Sequence, residues 1–263
     1  MSSGSQVGRG VAPPTVCILL ATFNGIQYIE EQIASIQRQT FEDWVVLVSD
    51  DGSTDGTQEK LQQLAKLDPR IQIQDFSGRP SGGAKQNFGR LLARGLESSS
   101  NVFFLCDQDD VWEPHKLQRQ ITEFPQKGAE TTSLLVHSDL MVVDDNLKSI
   151  HPSMIRYMAL NASPVEPLNY LLSRNFVTGC ASALNRQLLV EALPVSDSAV
   201  MHDWWLALVA SLGGDIRFID RPLVKYRQHQ FNTVGASGFW RGLNPANNWL
   251  VGWKAGNEEF LAT

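Results

Sequence analysis

Apolar and polar positions alternate in blocks along the first 125 residues, and the blocks predict strands and helices in turn. Short runs that are apolar throughout or alternate predict four strands, at 15–21, 44–49, 71–76 and 101–106. Each run precedes a segment with apolar residues at helical spacing, and these segments predict helices at 28–39, 57–67, 84–96 and 114–124. Apolar strands that alternate with helices are typical of a parallel sheet covered on both faces. The first half of the chain is therefore predicted to be an α/β unit.

The pattern is less regular from residue 126 onward. An apolar stretch at 133–145 predicts one long bent strand or a strand pair, and 178–193 predicts a short strand that leads into a helix. An apolar helix is predicted at 202–214, where two glycines end it, and short strands at 216–219 and 223–227. We therefore expect this part to extend the sheet with a different arrangement.

Composition excludes several classes of protein. The chain has 263 residues, 43% of them apolar, which is enough for one large domain with a sizeable core. Its formal charge of −6 disfavours a nucleic-acid partner. The three cysteines are scattered without C-x-x-C spacing, which argues against disulfides and structural zinc and favours reduced, buried thiols. Residues 1–14 lack an apolar core and predict a flexible leader, and no apolar run is long enough to predict a transmembrane span.

Polar residues follow three of the predicted strands directly. The sequences are TFN after the first strand, SDDGSTD after the second and DQDD after the fourth. Ligands of open parallel sheets bind outside the carboxyl ends of the strands. The three polar segments are therefore predicted to line one binding edge.

The DQDD segment places Asp107, Asp109 and Asp110 at the end of an apolar strand. One interpretation is a solvated turn, which Asp favours. The other is a divalent cation site, because Mg²⁺ and Mn²⁺ prefer carboxylate oxygens and substrate phosphates. Since alternate residues of an extended segment point to the same side, Asp107 and Asp109 are predicted to share a cation while Asp110 points elsewhere.

Two further loops carry alternative interpretations. In SDDGSTDGT, one interpretation is a strand-to-helix turn in which Asp55 or Thr54 caps the next helix, and the other is that Asp50 or Asp51 accepts hydrogen bonds from a nucleotide. The segment GRPSGGAK is not a phosphate loop of the Walker type, because Ala84 separates the glycines from Lys85. A mobile loop whose Lys85 or Asn87 reaches a ligand remains compatible with this pattern.

Two segments of the second half could supply acid–base groups. His202 and Asp203 begin an apolar helix, where an acid either favours the helix dipole or acts as a general base. The neighbouring Trp204 and Trp205 are expected to raise the pKa of Asp203. His229 follows a strand, and a lone histidine is more often structural than functional.

Taken in order, the motifs resemble those of a known enzyme family. The segment from CILLATFNG to DDGSTDGT, then FFLCDQDDVWEPHKL, NFVTGCASALNR, HDWWLAL and YRQHQFNTVG resemble the family 2 glycosyltransferases of GT-A fold. The resemblance covers roughly residues 15 to 235. It implies an α/β chain with a mostly parallel, Rossmann-like sheet flanked by helices. It also implies a nucleotide-sugar-binding half at 15–125 and an acceptor-binding half with the catalytic base at 126–235.

The resemblance implies an inverting sugar transfer from a nucleotide-diphosphate donor and a role for each matched residue. Asp203 would be the general base, although His202 stands where the family usually has Glu. The donor nucleotide would meet Thr22, Phe23, Asn24, Asp50, Asp51, Lys85, Asn87, Asp107 and Gln108. The metal ligands would be Asp109, Asp107 and His229, and the acceptor side would hold Thr178, Gly179, His202 and Trp204.

The same resemblance predicts the cofactor and partners. Mn²⁺ or Mg²⁺ would be the cofactor, dTDP-rhamnose or a UDP-sugar the donor, and a saccharide or lipid-linked saccharide the acceptor. Among subfamilies, the motifs are most similar to bacterial rhamnosyltransferases of cell-surface polysaccharide synthesis. A cytoplasmic location, at or near the inner face of the membrane, is expected. The aromatic tail, 236–263, is predicted to pack on the core, to join a dimer or to lie on a membrane surface.

Three other classes compete with this interpretation. A metal-dependent nucleotidyl- or phosphate-transfer enzyme would need a second cation site or a basic phosphate clamp, and the sequence has no Lys/Arg cluster. A response-regulator-like switch also places Asp pairs at strand ends, but it would leave the chain after residue 126 unexplained. A non-catalytic sugar-binding relative would keep the donor site and lack transfer.

Overall fold

A computed structural model describes residues 15–75, 82–125 and 132–229. The strands within these ranges are β1 (Val16–Thr22), β2 (Trp44–Asp50), β3 (Ile71–Ile73), β4 (Val102–Cys106), β5 (Val111–Trp112), β6 (Leu134–Val143), β7 (Ser149–His151), β8 (Ser182–Asn185) and β9 (Asp215–Arg227). The helices are α1 (Ile29–Gln37), α2 (Thr57–Leu67), α3 (Gly83–Glu97), α4 (Lys116–Ile121), α5 (Met154–Tyr157), α6 (Pro167–Leu171), α7 (Arg186–Ala192) and α8 (His202–Gly213). A 3₁₀ turn, Gly179–Ala181, leads into β8.

The described strands form one sheet in the order β3-β2-β1-β4-β8-β6-β9-β5, with β7 paired to β6. Strands β1 to β4 are mutually parallel. Strand β6 runs in the same direction, because β8 pairs antiparallel with both β4 and β6, and β9 is parallel to β6. The predicted α/β class with a mostly parallel sheet flanked by helices is confirmed.

The core lies on both faces of this sheet. Every residue of β1 is buried, and its side chains alternate between two apolar clusters. Ile18 and its even-numbered neighbours pack with Ile33 of α1, while Leu19 and its odd-numbered neighbours pack with Leu91 of α3. This double burial explains why the first strand is apolar without interruption.

The second half differs from the predicted elements in one main respect. The two short strands expected at 216–219 and 223–227 are a single strand, β9, and its register against β6 shifts between Ile219 and Pro222. Proline cannot donate a hydrogen bond to a sheet. The strand therefore continues past Pro222 with a shift of register instead of ending there. The stretch at 133–145 is one strand, β6, as one of the two predictions for it required.

Four short elements of the described ranges were not predicted, because strands and helices of two to five residues are too short to show a hydrophobic period. They are β5, β7, α5 and α6. Helix α3 continues through Gly89, although glycine weakens a helix.

The predicted leader, 1–14, and the aromatic tail, 236–263, lie outside the described residues, as does the first part of the glycine-rich loop. None of the described helices is both long and apolar enough to cross a membrane.

The turn between α8 and β9 offers a stability test on two adjacent glycines. A Cβ on Gly214 would lie 2.2 Å from the carbonyl oxygen of Ser133, whereas a Cβ on Gly213 would meet nothing within 4 Å. We expect Gly214→Ala to lower the free energy of unfolding by about 1–3 kcal/mol, because the backbone of Ser133, just before β6, must shift. Gly213→Ala should be neutral or slightly stabilising. Urea unfolding of the two variants measures both changes in stability. Equal stabilities would contradict close packing of Gly214 against Ser133.

Candidate active site

The polar ends of three strands meet at one edge of the sheet, as predicted. Thr22, the last residue of β1, lies opposite Asp50, the last residue of β2, and Leu20 lies opposite Cys106, the last residue of β4. The loops that begin at these positions are therefore neighbours.

Asp50 organises the loop that follows β2. Its Oδ2 accepts hydrogen bonds from Thr22 Oγ1 at 2.8 Å and from Ser53 Oγ at 2.5 Å. Its Oδ1 accepts from the backbone of Ser53 at 2.8 Å and from Gln58 Nε2 at 2.7 Å. With this many donors, the Asp50 carboxylate fixes the shape of the loop. The sequence interpretation gave a role in this turn to Asp55 or Thr54 as the cap of the next helix, but the cap position of α2 is held by Gly56, without a side-chain cap.

The loop after β1 is joined to the same region. Asn24 has a positive φ of 49°, and its side-chain oxygen accepts from Thr54 N at 2.9 Å while its own N–H donates to Ser53 Oγ at 2.7 Å. Asn tolerates this left-handed conformation better than most residues. The neighbouring Phe23 is 51% exposed, so its ring is available at the binding edge.

Asp51 is turned the other way, toward the start of α3. Its buried carboxylate accepts from the N–H groups of Gly82 at 3.1 Å and Gly83 at 2.8 Å and forms an ion pair with Arg90. Negative charge at a helix N-terminus is favourable. Asp51 therefore anchors α3 behind the edge.

The two candidates from the glycine-rich loop also make internal contacts. Lys85 Nζ donates to the carbonyl oxygens of Asp197 at 2.7 Å and Ala199 at 2.9 Å. Asn87 is buried, and its Nδ2 donates to the carbonyl oxygen of Ser49 at 3.0 Å. This geometry holds strand ends and the segment before α8 in place, and it does not present Asn87 to a ligand.

The acidic segment bends at Gln108 and Asp109 instead of continuing extended, which corrects one prediction. Carboxylate oxygens of Asp107 and Asp110 and the sulfur of Cys180 all lie within 4.8 Å of one another. The prediction that Asp110 points away from Asp107 is therefore wrong, because the alternation rule requires an extended chain. Asp107 and Asp109 are half-buried, while Asp110 is 1% exposed.

Burial and mutual repulsion disfavour charge in this segment. Burial, then the nearby charges of Asp109 and Asp203, raise the pKa of Asp107 to about 7. Burial and the same cluster raise the pKa of Asp110 well above its ordinary value. Oδ1 of Asp110 accepts from the backbone N–H of Arg227 at 3.1 Å, and the thiol of Cys180 lies beside its carboxyl group. A cation placed among these oxygens would relieve the repulsion.

Asp109 has a partner from the far end of the sheet. Its Oδ2 lies 2.7 Å from Nε2 of His229, and the His229 ring stacks on Tyr28 at 5.0 Å between centroids. The buried Arg227 donates to the carbonyl oxygen of Asp109 at 2.8 Å and lies over the same Tyr28 ring. The structure thus brings together Asp109 and His229, both predicted metal ligands.

Asp203 lies in the first turn of α8, close enough to Asp107 for its charge to raise the pKa of that residue. Its Oδ2 accepts from Gly179 N at 3.0 Å and its Oδ1 from Trp204 N at 2.7 Å. Burial raises the pKa of Asp203 to about 6, in the direction expected from its apolar surroundings. Thr178 is half-buried at the entrance to the same 3₁₀ turn, and Trp204 donates from Nε1 to the carbonyl oxygen of Leu171 at 2.8 Å.

His202 is enclosed next to the candidate base. It is 5% exposed, its ring stacks on Phe88 at 3.9 Å between centroids, and neither ring nitrogen has a hydrogen-bond partner among the described residues. Burial lowers the pKa of His202 to about 3, so the ring is neutral at ordinary pH. A neutral imidazole in this position leaves Asp203 as the ionisable member of the pair.

The donor set fits a hard divalent cation. Half-buried carboxylates of Asp107 and Asp109 and the imidazole of His229 are oxygen and nitrogen ligands suited to Mg²⁺ or Mn²⁺. Within the described ranges, no N–H or O–H group donates to the buried Oδ2 of Asp110, so a nearby cation would also compensate this oxygen. The raised pKa of the Cys180 thiol keeps it a weak ligand here.

Comparison with known sequences decides the family. The sequence profile described as "Glycosyl transferase family 2" matches residues 17–192, more than half of the chain. The chain belongs to glycosyl transferase family 2. The dTDP-rhamnosyl transferase RfbG of Shigella flexneri is 30% identical over 227 residues, which cover 83% of this chain and 74% of RfbG. A GalNAc(5)-diNAcBac-PP-undecaprenol beta-1,3-glucosyltransferase of Campylobacter jejuni is 37% identical over 139 residues, or 51% of this chain and 41% of that protein.

Solved structures of similar shape are glycosyltransferases of GT-A fold. S. aureus TarS in complex with UDP-GlcNAc superimposes with a TM-score of 0.58 at 15% identity, over 83% of this chain and 60% of that one. Mannosyltransferase PcManGT from Pyrobaculum calidifontis, in complex with GDP-Man and Mn²⁺, gives 0.55 at 19% identity, over 82% and 57%. The expected GT-A fold is thus confirmed. The chain spans about three fifths of the length of these structures.

Several residues of the site escaped prediction because only folding assigns them a role. Arg90 lies 39 positions after Asp51, and Arg227 lies 118 positions after Asp109. Neither spacing carries a periodic signal. The segment YRQH contains Arg227 two positions before the predicted ligand His229. This proximity is the one sequence signal that Arg227 belongs to the site.

The Asp51–Arg90 ion pair generates a matched stability test on helix α3. The Asp51 side chain is 4% exposed and Arg90 13%, whereas the Arg94–Glu97 pair one turn later is 52% and 63% exposed. We expect Arg90→Met to cost about 3 kcal/mol of unfolding free energy, because it leaves a buried carboxylate without its countercharge. Arg94→Met should be nearly neutral. Denaturant unfolding distinguishes them, and equally small losses would show that Arg90 does not stabilise Asp51.

Proposed function

We propose that the chain catalyses inverting transfer of a sugar from a nucleotide-diphosphate donor to a hydroxyl of a saccharide acceptor. One observation carries the proposal. Asp203, with its pKa raised to about 6, faces the acidic strand-end segment and is oriented by Gly179 N. A base on one side and a cation-binding segment on the other are what an in-line displacement at an anomeric carbon needs. Family membership and the fold of nucleotide-sugar enzymes support the same assignment.

The chain's own groups account for the proton and the leaving charge. The acceptor oxygen attacks the anomeric carbon while Asp203 takes the hydroxyl proton. The sugar–phosphate bond breaks with its electron pair on the nucleoside diphosphate, and attack from the opposite side inverts the configuration. The N–H groups of Gly179 and Trp204 hold the two oxygens of Asp203 at 3.0 and 2.7 Å, which orients the base before the acceptor arrives.

Asp107 and Asp109, with His229 beside Asp109, would hold a divalent cation, Mn²⁺ or Mg²⁺. When bound, such a cation supplies a positive charge that stabilises the departing diphosphate. A cation at this segment is supported by the close approach of Asp107, Asp110 and Cys180 and by the Mn²⁺ in the complex of the similarly folded mannosyltransferase PcManGT.

The nucleoside would lie on the other side of the edge, against the loops after β1 and β2. The exposed ring of Phe23 offers an apolar face, and Thr22, Asn24 and Asp50 frame it. For the sugar, we favour dTDP-rhamnose over a UDP-sugar on the basis of similarity to RfbG. A lipid-linked saccharide acceptor is suggested by the Campylobacter jejuni relative.

A nucleotide-sugar panel tests donor and metal together. We expect dTDP-rhamnose, or failing that one UDP-sugar, to raise the melting temperature in the presence of Mn²⁺ or Mg²⁺, because a ligand that binds only the folded state stabilises it. EDTA should abolish the shift, and Asp109→Asn should raise the metal concentration needed for it. Differential scanning fluorimetry provides the measurement. No shift with any donor, with or without metal, would contradict the proposed function.

Substitution of the base tests the mechanism. Asp203→Asn keeps the shape of the side chain but cannot take a proton, so transfer should fall by about 10²–10⁴-fold. Donor affinity should change little, because in the proposed mechanism Asp203 contacts the acceptor hydroxyl and not the nucleotide. Product formation by chromatography and donor binding by calorimetry are the two measurements.

Asp220→Asn, at an exposed position of β9, is the matched control and should transfer normally. The wild-type kcat/KM should fall as the pH drops below about 6, because protonation of Asp203 removes the base. That acid limb should be missing from the residual activity of Asp203→Asn. Undiminished transfer by the variant would show that another group is the base.

A further inference from the structure

Gln108 makes a two-point contact with the backbone of the loop after β1. Phe23 N donates to Oε1 of Gln108 at 2.8 Å, and Nε2 of Gln108 donates to the carbonyl oxygen of Phe23 at 2.9 Å. Both polar atoms of this amide thus have protein partners. Gln108 stands in the acidic segment between Asp107 and Asp109, 85 positions from Phe23 along the chain.

We propose that Gln108 is a positioning residue for the donor site, whose amide holds the Phe23 peptide so that the ring meets the nucleobase. The two hydrogen bonds between Gln108 and Phe23 form a clasp between the two loops. This inference rests on the proposed function and changes the role predicted for Gln108. Instead of contacting the nucleotide itself, Gln108 acts on it through Phe23.

Gly25 provides room for the clasp. A Cβ at Gly25 would lie 2.1 Å from Oε1 and 2.4 Å from the amide carbon of Gln108. The amide is the end of a flexible side chain, so an alanine at position 25 would displace it while the backbone stays in place. The residue that makes the clasp and the residue that admits it therefore lie on different loops.

The clasp also joins the two ends of the donor site. Phe23 is half exposed and follows Thr22 directly, at the point where the chain leaves β1, and Asn24 already has a positive φ. A two-point contact restricts the orientation of such a peptide, which lowers the conformational cost of ligand binding. Because Gln108 is flanked by predicted metal ligands, the diphosphate end and the nucleobase end share one structural link.

The experiment uses Gln108→Ala, Gly25→Ala and the double variant of the full chain. Calorimetry in Mn²⁺ with UDP and with dTDP as probes gives the affinity. We expect each single substitution to weaken binding of the preferred nucleotide about tenfold, near 1.4 kcal/mol, and the double to weaken it no further. Donor KM should rise by the same factor while kcat stays close to wild type. Amide hydrogen exchange at Phe23 should quicken in all three variants.

Two controls separate the clasp from general effects of substitution. Gly89→Ala in α3 would place its Cβ 3.9 Å from Val195, an ordinary contact, and Gln63→Ala changes an exposed residue of α2. Both should leave nucleotide affinity and Phe23 exchange unchanged.

The possible failures are distinguishable. Nucleotide affinity and Phe23 exchange that both stay unchanged in Gln108→Ala and Gly25→Ala, or affinity losses that add in the double variant, would overturn the clasp. Faster exchange at Phe23 with unchanged affinity would overturn its role in the donor site. A wild-type protein that binds UDP or dTDP but transfers no sugar would overturn the proposed function alone, and one that binds neither nucleotide would overturn both.

Discussion

The crowding of carboxylates at one edge of the sheet is the constraint on which the rest of the site depends. Burial and like charge raise the pKa values of Asp107 and Asp110, and burial raises that of Asp203. Such groups are costly to ionise without compensation. The backbone N–H of Arg227, which donates to Asp110, and neighbouring protein groups offset part of this cost of ionisation. The remaining excess of negative charge makes the edge suited to a cation and a diphosphate.

The parallel register of β1, β2 and β4 places this charge where it is useful. The three strands end within two residues of one another, so the loops that follow them are neighbours. Hydrogen bonds then connect the loops sideways, through Asp50, Asn24 and Gln108. The second half of the chain closes the site from the opposite side, with Gly179 before β8 and Asp203 at the start of α8. The groups proposed for the donor side and for the acceptor side thus come from different halves of the chain.

Sequence patterns predicted the long elements and the shared edge but not the details of side-chain direction. Continuous apolar runs and helical spacing are local properties, and the elements they predicted in the first half are present. The direction of Asp110 was predicted wrongly, since the alternation rule holds only in an extended chain and this segment bends. Asp51 was expected beside a nucleoside and is found against Arg90 and the start of α3. No local pattern encodes such a long-range pair.

The sequence by itself determined the fold class, the family and the edge at which the polar groups gather. These follow from hydrophobic period and from motifs in a fixed order, both of which are written along the chain. Only the tertiary structure decided that His229 meets Asp109, that His202 is enclosed beside Phe88, and that Gln108 holds Phe23. The physical reason is that burial and hydrogen bonding depend on distances between residues far apart in sequence. Packing of the whole sheet sets those distances.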